Sequence, residues 1–188
     1  MLTIVGRQVH LRGFRPGDAR WLVDAMARGS WWRWDAPWEG RPQPDELRQV
    51  PARVALLVRE RTSPPRRMVI ETRTARPIGT VSRYWVDERT QWLEVGIAIY
   101  AARDWGRGYG FEALGLWVEH LLTEMPLHRI GLRTWSGNTR MVRLARRLGF
   151  RLEARFREAY VAPDGVYDRL AFGLLRREWR RVRRTWWR

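Results

Sequence analysis

The sequence predicts a single α/β (α+β) domain in which a curved, mostly antiparallel mixed sheet is flanked by helices on both faces. Three observations lead to this fold class. At 188 residues, the chain has the length of one domain, and it shows no internal repeat or linker. Its residues are 45% apolar and 30% charged, a balance typical of globular proteins. Segments with the two-residue period of strands alternate irregularly with helical ones, and this order favours a mixed sheet.

The first half of the chain is predicted to contain two helical regions and four strands. One helix begins after Pro16-Gly17-Asp18, because apolar residues then recur at helical spacing, and it ends at Gly29. Residues 45–61 are expected to form one or two helices, with Pro51 in a first turn, where its missing N–H group is not needed. The predicted strands are rich in β-branched and aromatic residues and are Val9–Phe14, Met68–Thr72, Ile78–Val86 and Gln91–Tyr100, the last two joined as a hairpin.

The second half alternates helices with strands. A helix over Gly108–Glu124 has apolar residues at helical spacing and ends before Pro126. A second helix is closed by Gly149. The remaining predicted elements are the strand His128–Trp135, the helix Asn138–Leu148, and a strand pair formed by Arg151–Tyr160 and Val166–Leu175.

A glycine turn, residues 105–110, separates the strand that ends at Tyr100 from the next helix. Gly106, Gly108 and Gly110 let the backbone approach a ligand closely, and the helix start directs N–H groups and a positive dipole end at an anion. The turn therefore predicts a diphosphate site, with an ordinary strand-to-helix turn as the alternative. A Walker loop is excluded because the chain contains no lysine, and the glycine spacing argues against the dinucleotide-binding fingerprint.

The glycine turn is one of several motifs that follow one another along nearly the whole chain. They are Val9–Asp18, Pro77–Val81, Leu93–Gly96, the glycine turn followed by Phe111–Leu114, Asn138 ahead of Leu148–Phe150, Glu153, Asp164–Asp168 and Leu174–Trp179. In these motifs the chain resembles the GNAT superfamily of acyl-CoA-dependent N-acyltransferases, and most closely its RimJ/RimL-like branch of ribosomal-protein N-terminal acetyltransferases. The resemblance implies a GNAT-like acyltransferase domain over residues 1–175, followed by an Arg/Trp-rich segment, 176–188, that is either docked or flexible.

The resemblance also implies acetyl-CoA as cosubstrate and indicates which residues would bind it. The backbone of Ile99 and Tyr100 would pair with pantetheine like an added strand, and N–H groups of the glycine turn would hold the pyrophosphate. The amide of Asn138, the only asparagine in the chain, would contact the pantetheine arm; alternatively, Asn138 is the N-cap of its helix. The implied CoA-binding residues are Ile99, Tyr100, Trp105, Gly106, Arg107, Gly108, Tyr109, Gly110 and Asn138.

Glu94 is the general base that the resemblance implies, acting through water, because RimJ/RimL-like proteins have a glutamate two residues before a glycine on this strand. Strand alternation places Glu94 and Gly96 on the face opposite Val95 and Ile97, so a carboxylate facing an acceptor cleft is reasonable. The alternative is a surface glutamate on a solvated face.

The chain departs from the family where a proton donor is expected. Met141 stands where the branch often has a serine, and Ala145 stands where other GNAT members have a tyrosine acid. A thiol with a pKa near ~8.5 leaves as thiolate without much help, and an α-amine at ~7.8 is easier to deprotonate than a lysine at ~10.4. A site with one modest base therefore suits N-termini or small amines, and Tyr109 and Tyr160 remain candidates for a substitute acid.

Residues 31–39, here called the aromatic segment, contain four tryptophans and two carboxylates. In the family this region helps to form the acceptor cleft, so the predicted substrate residues are Trp31, Trp34, Asp35 and Trp38. Packing against the sheet or against a dimer partner is an alternative use of these tryptophans. The same question applies to Trp179, Trp186 and Trp187 near the end of the chain.

The net charge of +16 is carried entirely by arginine, which accounts for all 36 basic residues. Codon usage that favours arginine is one explanation, and attraction to phosphate-rich partners such as the ribosome or RNA is the other. The chain has no cysteine and only three scattered histidines, so we expect no metal. The N-terminal apolar run is too short for a signal peptide, and no apolar run is long enough to span a membrane, so we expect a cytoplasmic protein.

The function predicted from these features is acetyl-CoA-dependent acetylation of a primary amine, either a protein N-terminus or a small-molecule amine, by a homodimer. The alternative is a catalytically inactive module that retains the GNAT fold and binds CoA, RNA or the ribosome. The two differ in whether acetyl-CoA is consumed when an amine is added.

Overall fold

A computed structural model describes residues 2–186 and contains one sheet of eight strands. The strands are β1 (Thr3–Val5), β2 (Val9–Arg12), β3 (Arg67–Thr72), β4 (Pro77–Asp87), β5 (Trp92–Ile99), β6 (Arg129–Trp135), β7 (Arg151–Ala162) and β8 (Gly165–Leu175). They lie in the order β1-β2-β3-β4-β5-β6-β8-β7, and every neighbouring pair is antiparallel except β5 and β6, which are parallel.

Helices cover both faces of this sheet. They are α1 (Asp18–Arg28), α2 (Trp32–Asp35), α3 (Pro44–Arg59), α4 (Tyr109–Glu124), α5 (Thr139–Arg147) and α6 (Arg176–Trp186). On β3, Met68 and Ile70 belong to the core under α4, whereas Val69 between them packs with Leu22 and Val54 of α1 and α3. The predicted α/β domain with a mostly antiparallel mixed sheet is therefore confirmed. Within residues 2–186, no helix has the length and apolar character needed to cross a bilayer.

The structure corrects the position expected for Pro51. Residues 44–59 form one helix, α3, with Pro44 in its first turn and Pro51 in its interior. The helix begins at Pro44 because Gln43 and Glu46 form a capping box, in which the Gln43 N–H donates to the Glu46 carboxylate over 2.7 Å. Pro51 removes one hydrogen bond from the ladder, and burial of apolar side chains against α1 keeps the helix continuous. The short elements β1 and α2 were not predicted.

The pairing of β5 with β6 positions the site described below. The two strands pair only at Trp92, Leu93 and Glu94 of β5. Beyond Glu94, β5 stays with β4 as far as Ile99, and β6 continues with β8. The parallel ladder therefore ends in mid-sheet, and an opening forms between the two strands.

The α6 helix packs against the back of α4. Trp179 is 2% exposed, and its indole N–H donates to Glu119 of α4. The Arg176 guanidinium donates to the backbone carbonyls of Leu122, Met125 and Leu127, the first two in the last turns of α4 and just after it. A cation is favourable there because the C-terminal end of a helix carries partial negative charge. Of the end of the chain, Trp187, Arg188 and the side chains of Thr185 and Trp186 lie outside the described part.

A buried charge cluster joins β2, β3 and α1. Arg12 is 3% exposed and donates to both carboxylate oxygens of Asp18, over 2.7 and 2.9 Å, and to Glu71 over 2.8 Å. The Asp18 carboxylate also accepts from the Arg15 backbone N–H. Burial by itself lowers the pKa of Arg12, but the hydrogen bonds to Asp18 and Glu71 outweigh it and raise that pKa above its ordinary value.

Candidate active site

A pocket of about 450 Å³ opens where β5 and β6 separate. It is formed by the end of β5, the glycine turn, the first turn of α4, α5 and the aromatic segment. Nine residues predicted from the sequence line it: Trp31, Trp34, Asp35, Ile99, Trp105, Gly106, Gly108, Gly110 and Asn138. Five others do not line it: Glu94, Tyr100, Arg107, Tyr109 and Trp38.

The glycine turn has the backbone conformation of an anion-binding loop. Gly106 and Gly108 have φ angles of +74° and +85°, in the left-handed region that favours glycine. Gly108 is the N-cap of α4, and the first intrahelical bond runs from the Glu112 N–H to the Gly108 carbonyl. The N–H groups of Tyr109 and Gly110 therefore have no partner within the helix and lie at its positive end, beside the pocket.

Two ion-pair contacts fix the approach to this turn. Asp104 is 3% exposed and accepts hydrogen bonds over 2.7 and 2.9 Å from both terminal nitrogens of Arg76, which precedes β4. The hydrogen bonds from Arg76 lower the pKa of the Asp104 carboxyl below its ordinary value. Because Asp104 is held in this way, the backbone enters the glycine turn in a fixed direction.

The start of α4 is held from its other side by Glu112. This buried carboxylate accepts hydrogen bonds from the backbone N–H groups of Arg7 and Gln8, in the turn between β1 and β2. Glu112 belongs to a motif noted in the sequence, but sequence reasoning gave it no role. Its carboxylate ties the N-terminal hairpin to the helix end that faces the pocket.

Three arginines of α5 line the pocket next to the glycine turn, and sequence reasoning missed them. The Arg140 guanidinium lies 4.4 Å from the ring centroids of both Trp34 and Trp105. Arg147 lies 3.9 Å from the ring centroid of Phe111, and Arg143 completes the set. Their spacing of three and then four residues places them on one helix face. This spacing was the sequence signal from which the three arginines could have been predicted as a group. They add positive charge where a polyanion would lie.

The free edge of β5 faces the opening. The Tyr100 N–H donates to the Ile78 carbonyl over 3.2 Å, so by antiparallel alternation Ala98 bonds to β4 while Ile97 and Ile99 direct their backbone groups toward the gap. The Ile99 carbonyl accepts from the Trp105 indole over 2.8 Å. Of the two residues predicted to pair with pantetheine, Ile99 faces the gap, whereas the N–H group of Tyr100 is used by the sheet.

Asn138 caps α5 and holds the aromatic segment in place. Its Oδ1 accepts from the Met141 N–H over 3.0 Å, and its Nδ2 donates to the Trp34 carbonyl over 2.5 Å. The Trp135 indole donates to the same carbonyl over 2.9 Å. Trp38 stacks on Tyr160 with 4.0 Å between the ring centroids. The aromatic segment is therefore attached to both α5 and β7, and it lies against the pocket.

Asp35 supplies the carboxylate of the aromatic segment that faces the pocket. Its side chain is exposed to solvent and lines the pocket, where neighbouring protein partly desolvates the carboxylate. Burial raises the pKa of Asp35, the nearby Glu39 raises it further, and Arg67 opposes both. Among the described residues Asp35 forms no side-chain ion pair, whereas Asp104, the other carboxylate in the lining, is bound by Arg76.

Glu94 lies deeper, beyond the lining of the pocket. Its carboxylate forms an ion pair with Arg133 of β6 over 2.6 Å, and its side chain is 16% exposed. Glu94 shares a face of β5 with Gly96 and Ala98, and Ala98 lines the pocket. Tyr84 lies opposite on β4, with its hydroxyl 2.8 Å from that of Ser82. Sequence reasoning missed Arg133, because its pairing with Glu94 depends on β5 and β6 being neighbours.

The described residues contain no group of three or more His, Cys, Asp or Glu side chains placed to hold a metal ion. The groups that this region presents are carboxylates, arginines, aromatic rings and backbone N–H and carbonyl groups. The arrangement provides N–H donors and arginines at one end, an open strand edge in the middle and carboxylates toward the other end.

Comparison with known proteins gives consistent results. The model of the acetyltransferase (GNAT) domain matches residues 8–151. The uncharacterized N-acetyltransferase p20 of Bacillus licheniformis is 28% identical over 111 residues, which are 59% of this chain and 62% of that protein, less than two thirds of its length.

Two solved structures share the fold. One is a spermidine N-acetyltransferase from Vibrio cholerae in complex with CoA and spermine, with a TM-score of 0.72 and 21% identity, covering 92% of this chain and 98% of that one. The other is RimL, a ribosomal L7/L12 alpha-N-protein acetyltransferase in complex with coenzyme A, with a TM-score of 0.72 and 16% identity, covering 93% and 98%. At these identities the likeness concerns the fold alone.

Proposed function

Because the chain belongs to the family of GNAT acetyltransferase domains, we propose that it transfers an acetyl group from acetyl-CoA to a primary amine. The observation that carries this proposal is the pocket between β5 and β6. Acyl transfer to an amine needs a positioned thioester, an amine without its proton and a place for both to meet. The pocket offers residues for each requirement.

The residues at the glycine turn fit a diphosphate. The N–H groups at the start of α4 and the backbone of Gly106 and Gly108 would receive its oxygens, and Arg140, Arg143 and Arg147 would balance its charge. Of the other residues implied by the resemblance, Tyr109 would contribute only its backbone N–H group. Tyr100 and Arg107 lie outside the lining, and we assign them indirect roles.

The free edge of β5 fits the pantetheine arm. Amide groups of that arm would pair with the backbone of Ile97 and Ile99, as an added strand does at an open sheet edge. Acetyl-CoA bound in this way supplies an activated acyl group. Asn138, which lines the pocket, keeps the aromatic segment close to this arm.

We propose Glu94 as the general base. A water molecule would relay the proton, because Glu94 lies behind the lining and shares its strand face with Ala98 at the pocket. Arg133 holds the carboxylate in one orientation. Met141, which lines the pocket, has no proton to donate. None is needed near neutral pH, because a thiol with a pKa near ~8.5, such as that of CoA, leaves as the thiolate.

The acceptor would enter along the aromatic segment. Asp35 would attract its ammonium group between Trp31 and Trp34, with Trp38 supporting the segment from behind. A protein N-terminal amine, as expected for the RimJ/RimL-like branch, and a small amine both fit this arrangement. The two structural relatives named above, one with spermine and one acting on a ribosomal protein, provide one precedent for each. The predicted homodimer, cytoplasmic location and contact with the ribosome or RNA complete the proposal.

A catalytically inactive CoA-binding module is the second candidate. One observation favours it: Met141 stands in the lining of the pocket, where a proton-donating side chain would otherwise be expected. This candidate predicts CoA binding without consumption of acetyl-CoA on any amine.

The proposed function is tested by measuring CoA release with spermidine and with short peptides that carry free N-termini, together with CoA affinity by calorimetry. Gly110→Asp should weaken CoA binding by about 50-fold, because a carboxylate roughly 6 Å from a phosphate costs ~2–3 kcal/mol in a partly screened site. Gly110→Ala is the matched control, since a Cβ there meets only ordinary side-chain contacts at 3.5 Å or more. Wild-type protein that binds CoA but releases none with any amine would support the inactive module, and absence of CoA binding would overturn both.

Asp35→Asn is expected to raise KM for the amine by about 10-fold while CoA affinity stays within a factor of two, since one charge-assisted contact is lost. In the wild type, KM should fall as pH rises through the raised pKa of Asp35, because only the carboxylate attracts ammonium. This pH dependence should be absent in the variant. Glu39→Gln, on the same segment but outside the lining, is the control, and an equal effect there would refute the assignment to Asp35.

A further inference from the structure

The positive charge of the chain is concentrated on two helices. The α5 helix has four arginines and no acidic residue, and α6 has six arginines and one glutamate, Glu178. These two helices contribute nine of the net sixteen positive charges of the chain. By contrast, α1 is neutral, α3 has a surplus of one, and α4 has three glutamates and no arginine. Codon usage alone would not produce this distribution, because it acts on all helices equally.

The two basic helices are neighbours. Val182 of α6 packs against Gly149, which directly follows α5, and Trp179 shares a core cluster with Leu148. The ion pair between Arg151 and Glu178, over 3.2 Å, joins the same two regions. The C-terminal end of α5 therefore lies beside α6.

Four arginines of α6 have no structural task. Arg177, Arg180, Arg181 and Arg184 form pairs three and four residues apart, which places them on one helix face, and all four are exposed. No described residue forms an ion pair with any of them, whereas Arg176 caps α4 and Arg183 pairs with Glu119. Like charges at this spacing repel each other on a helix, so the row opposes folding and needs another explanation.

We propose that this arginine row, Arg177, Arg180, Arg181 and Arg184, binds the sugar–phosphate backbone of a nucleic acid. The row extends for ~10 Å along the helix, and guanidinium groups match phosphate oxygens in pairs. The apolar side chains described on α6, Trp179 and Val182, face the core, so the row offers nothing apolar to a lipid surface or a protein partner. Phosphate contact uses only the charge and the hydrogen-bond donors that the row presents.

The proposal is tested by fluorescence anisotropy with a labelled single-stranded RNA and a DNA of the same sequence, over a range of NaCl concentrations and without acetyl-CoA. A variant with all four arginines changed to glutamine should bind at least 10-fold more weakly. Its slope of log affinity against log salt should be shallower by about 3, the value for four phosphates on a single strand. The assay does not depend on acetyl transfer, so its result is separate from that of the proposed function.

The matched control changes Arg20, Arg28, Arg53 and Arg59, exposed arginines of α1 and α3, to glutamine and removes the same net charge. Its slope should stay within about 1 of the wild-type slope. Far-UV circular dichroism shows whether α6 remains folded.

Equal affinities for RNA and DNA would support recognition of the sugar–phosphate backbone that both share. Stronger binding of RNA would indicate an additional contact with the ribose hydroxyl. The proposal would be overturned if the control variant lost as much affinity, or if the wild type did not bind at low salt. It would also be overturned if polyglutamate or anionic vesicles bound as tightly as nucleic acid through the same four arginines.

Discussion

Replacing Glu94 with glutamine is expected to slow amine acetylation by about 100-fold or more, because a positioned general base contributes ~10²–10⁴-fold to rate. Glutamine keeps the size of the side chain and an oxygen that can still face the Arg133 guanidinium, so the strands should stay in place. The affinity for CoA, measured by calorimetry, should change by less than a factor of two, since Glu94 does not line the pocket.

The pH dependence distinguishes a lost base from a distorted site. An α-amine with a pKa of ~7.8 is largely neutral well above that pH, and it then needs no base. The rate of Glu94→Gln should therefore approach that of the wild type as the pH rises. Glu153→Gln is the matched control, because Glu153 also pairs with a β6 arginine, Arg129, but lies outside the pocket. A full rate in Glu94→Gln would show that Glu94 is not the general base. A loss of kcat in Asp35→Asn instead would indicate Asp35 as the base.

Replacing Arg12 with alanine is expected to lower the free energy of unfolding by about 3–5 kcal/mol, as for other buried ion pairs that lose one partner. Asp18 and Glu71 are 6% and 9% exposed, so without Arg12 two carboxylates would remain buried with no countercharge. Urea denaturation followed by tryptophan fluorescence measures the change.

Two further variants check this explanation. Arg28→Ala removes an exposed pair with Asp24, at 3.7 Å, and should cost less than about 1 kcal/mol. Combining Arg12→Met with Asp18→Asn and Glu71→Gln removes all three charges and should recover much of the lost stability, as neutral replacements of buried pairs do. A loss in Arg12→Ala no larger than in Arg28→Ala would show that the cluster contributes little.

The elements that could be predicted were those with strong local patterns. The glycine turn and the helix after it were predicted because their signals, alternating glycines and helical apolar spacing, lie within a few residues of each other. The position of Pro51 within α3 was misjudged, because a proline is a stronger sequence signal for a first turn than the capping box at Gln43. The β1 strand is three residues long and is defined by its pairing with β2, a partner that local patterns do not reveal.

In the site, too, residues close together in the sequence could be predicted, and contacts between distant residues could not. The lining residues of the glycine turn lie within six positions of the sequence, and the turn was predicted as a unit. The neighbours of Glu94 and Asp35 come from distant parts of the chain: Arg133 reaches Glu94 through the parallel pairing of β5 with β6, and Asp35 enters the pocket through contacts about 100 residues away. Such contacts depend on strand order and helix placement, which periodicity does not encode.

The hydrogen bonds from Trp135 and Asn138 end on the main-chain oxygen of Trp34, and not on its indole. The group of Trp34 that attaches the aromatic segment, its carbonyl, is therefore separate from the group that faces the pocket, its indole. Exchanging the indole at position 34 for a smaller or more polar group would reshape the entrance while the loop stays attached. Position 34 is therefore a rational starting point for redirecting the protein toward bulkier amines, whereas the Trp31 indole itself donates to the Met26 carbonyl.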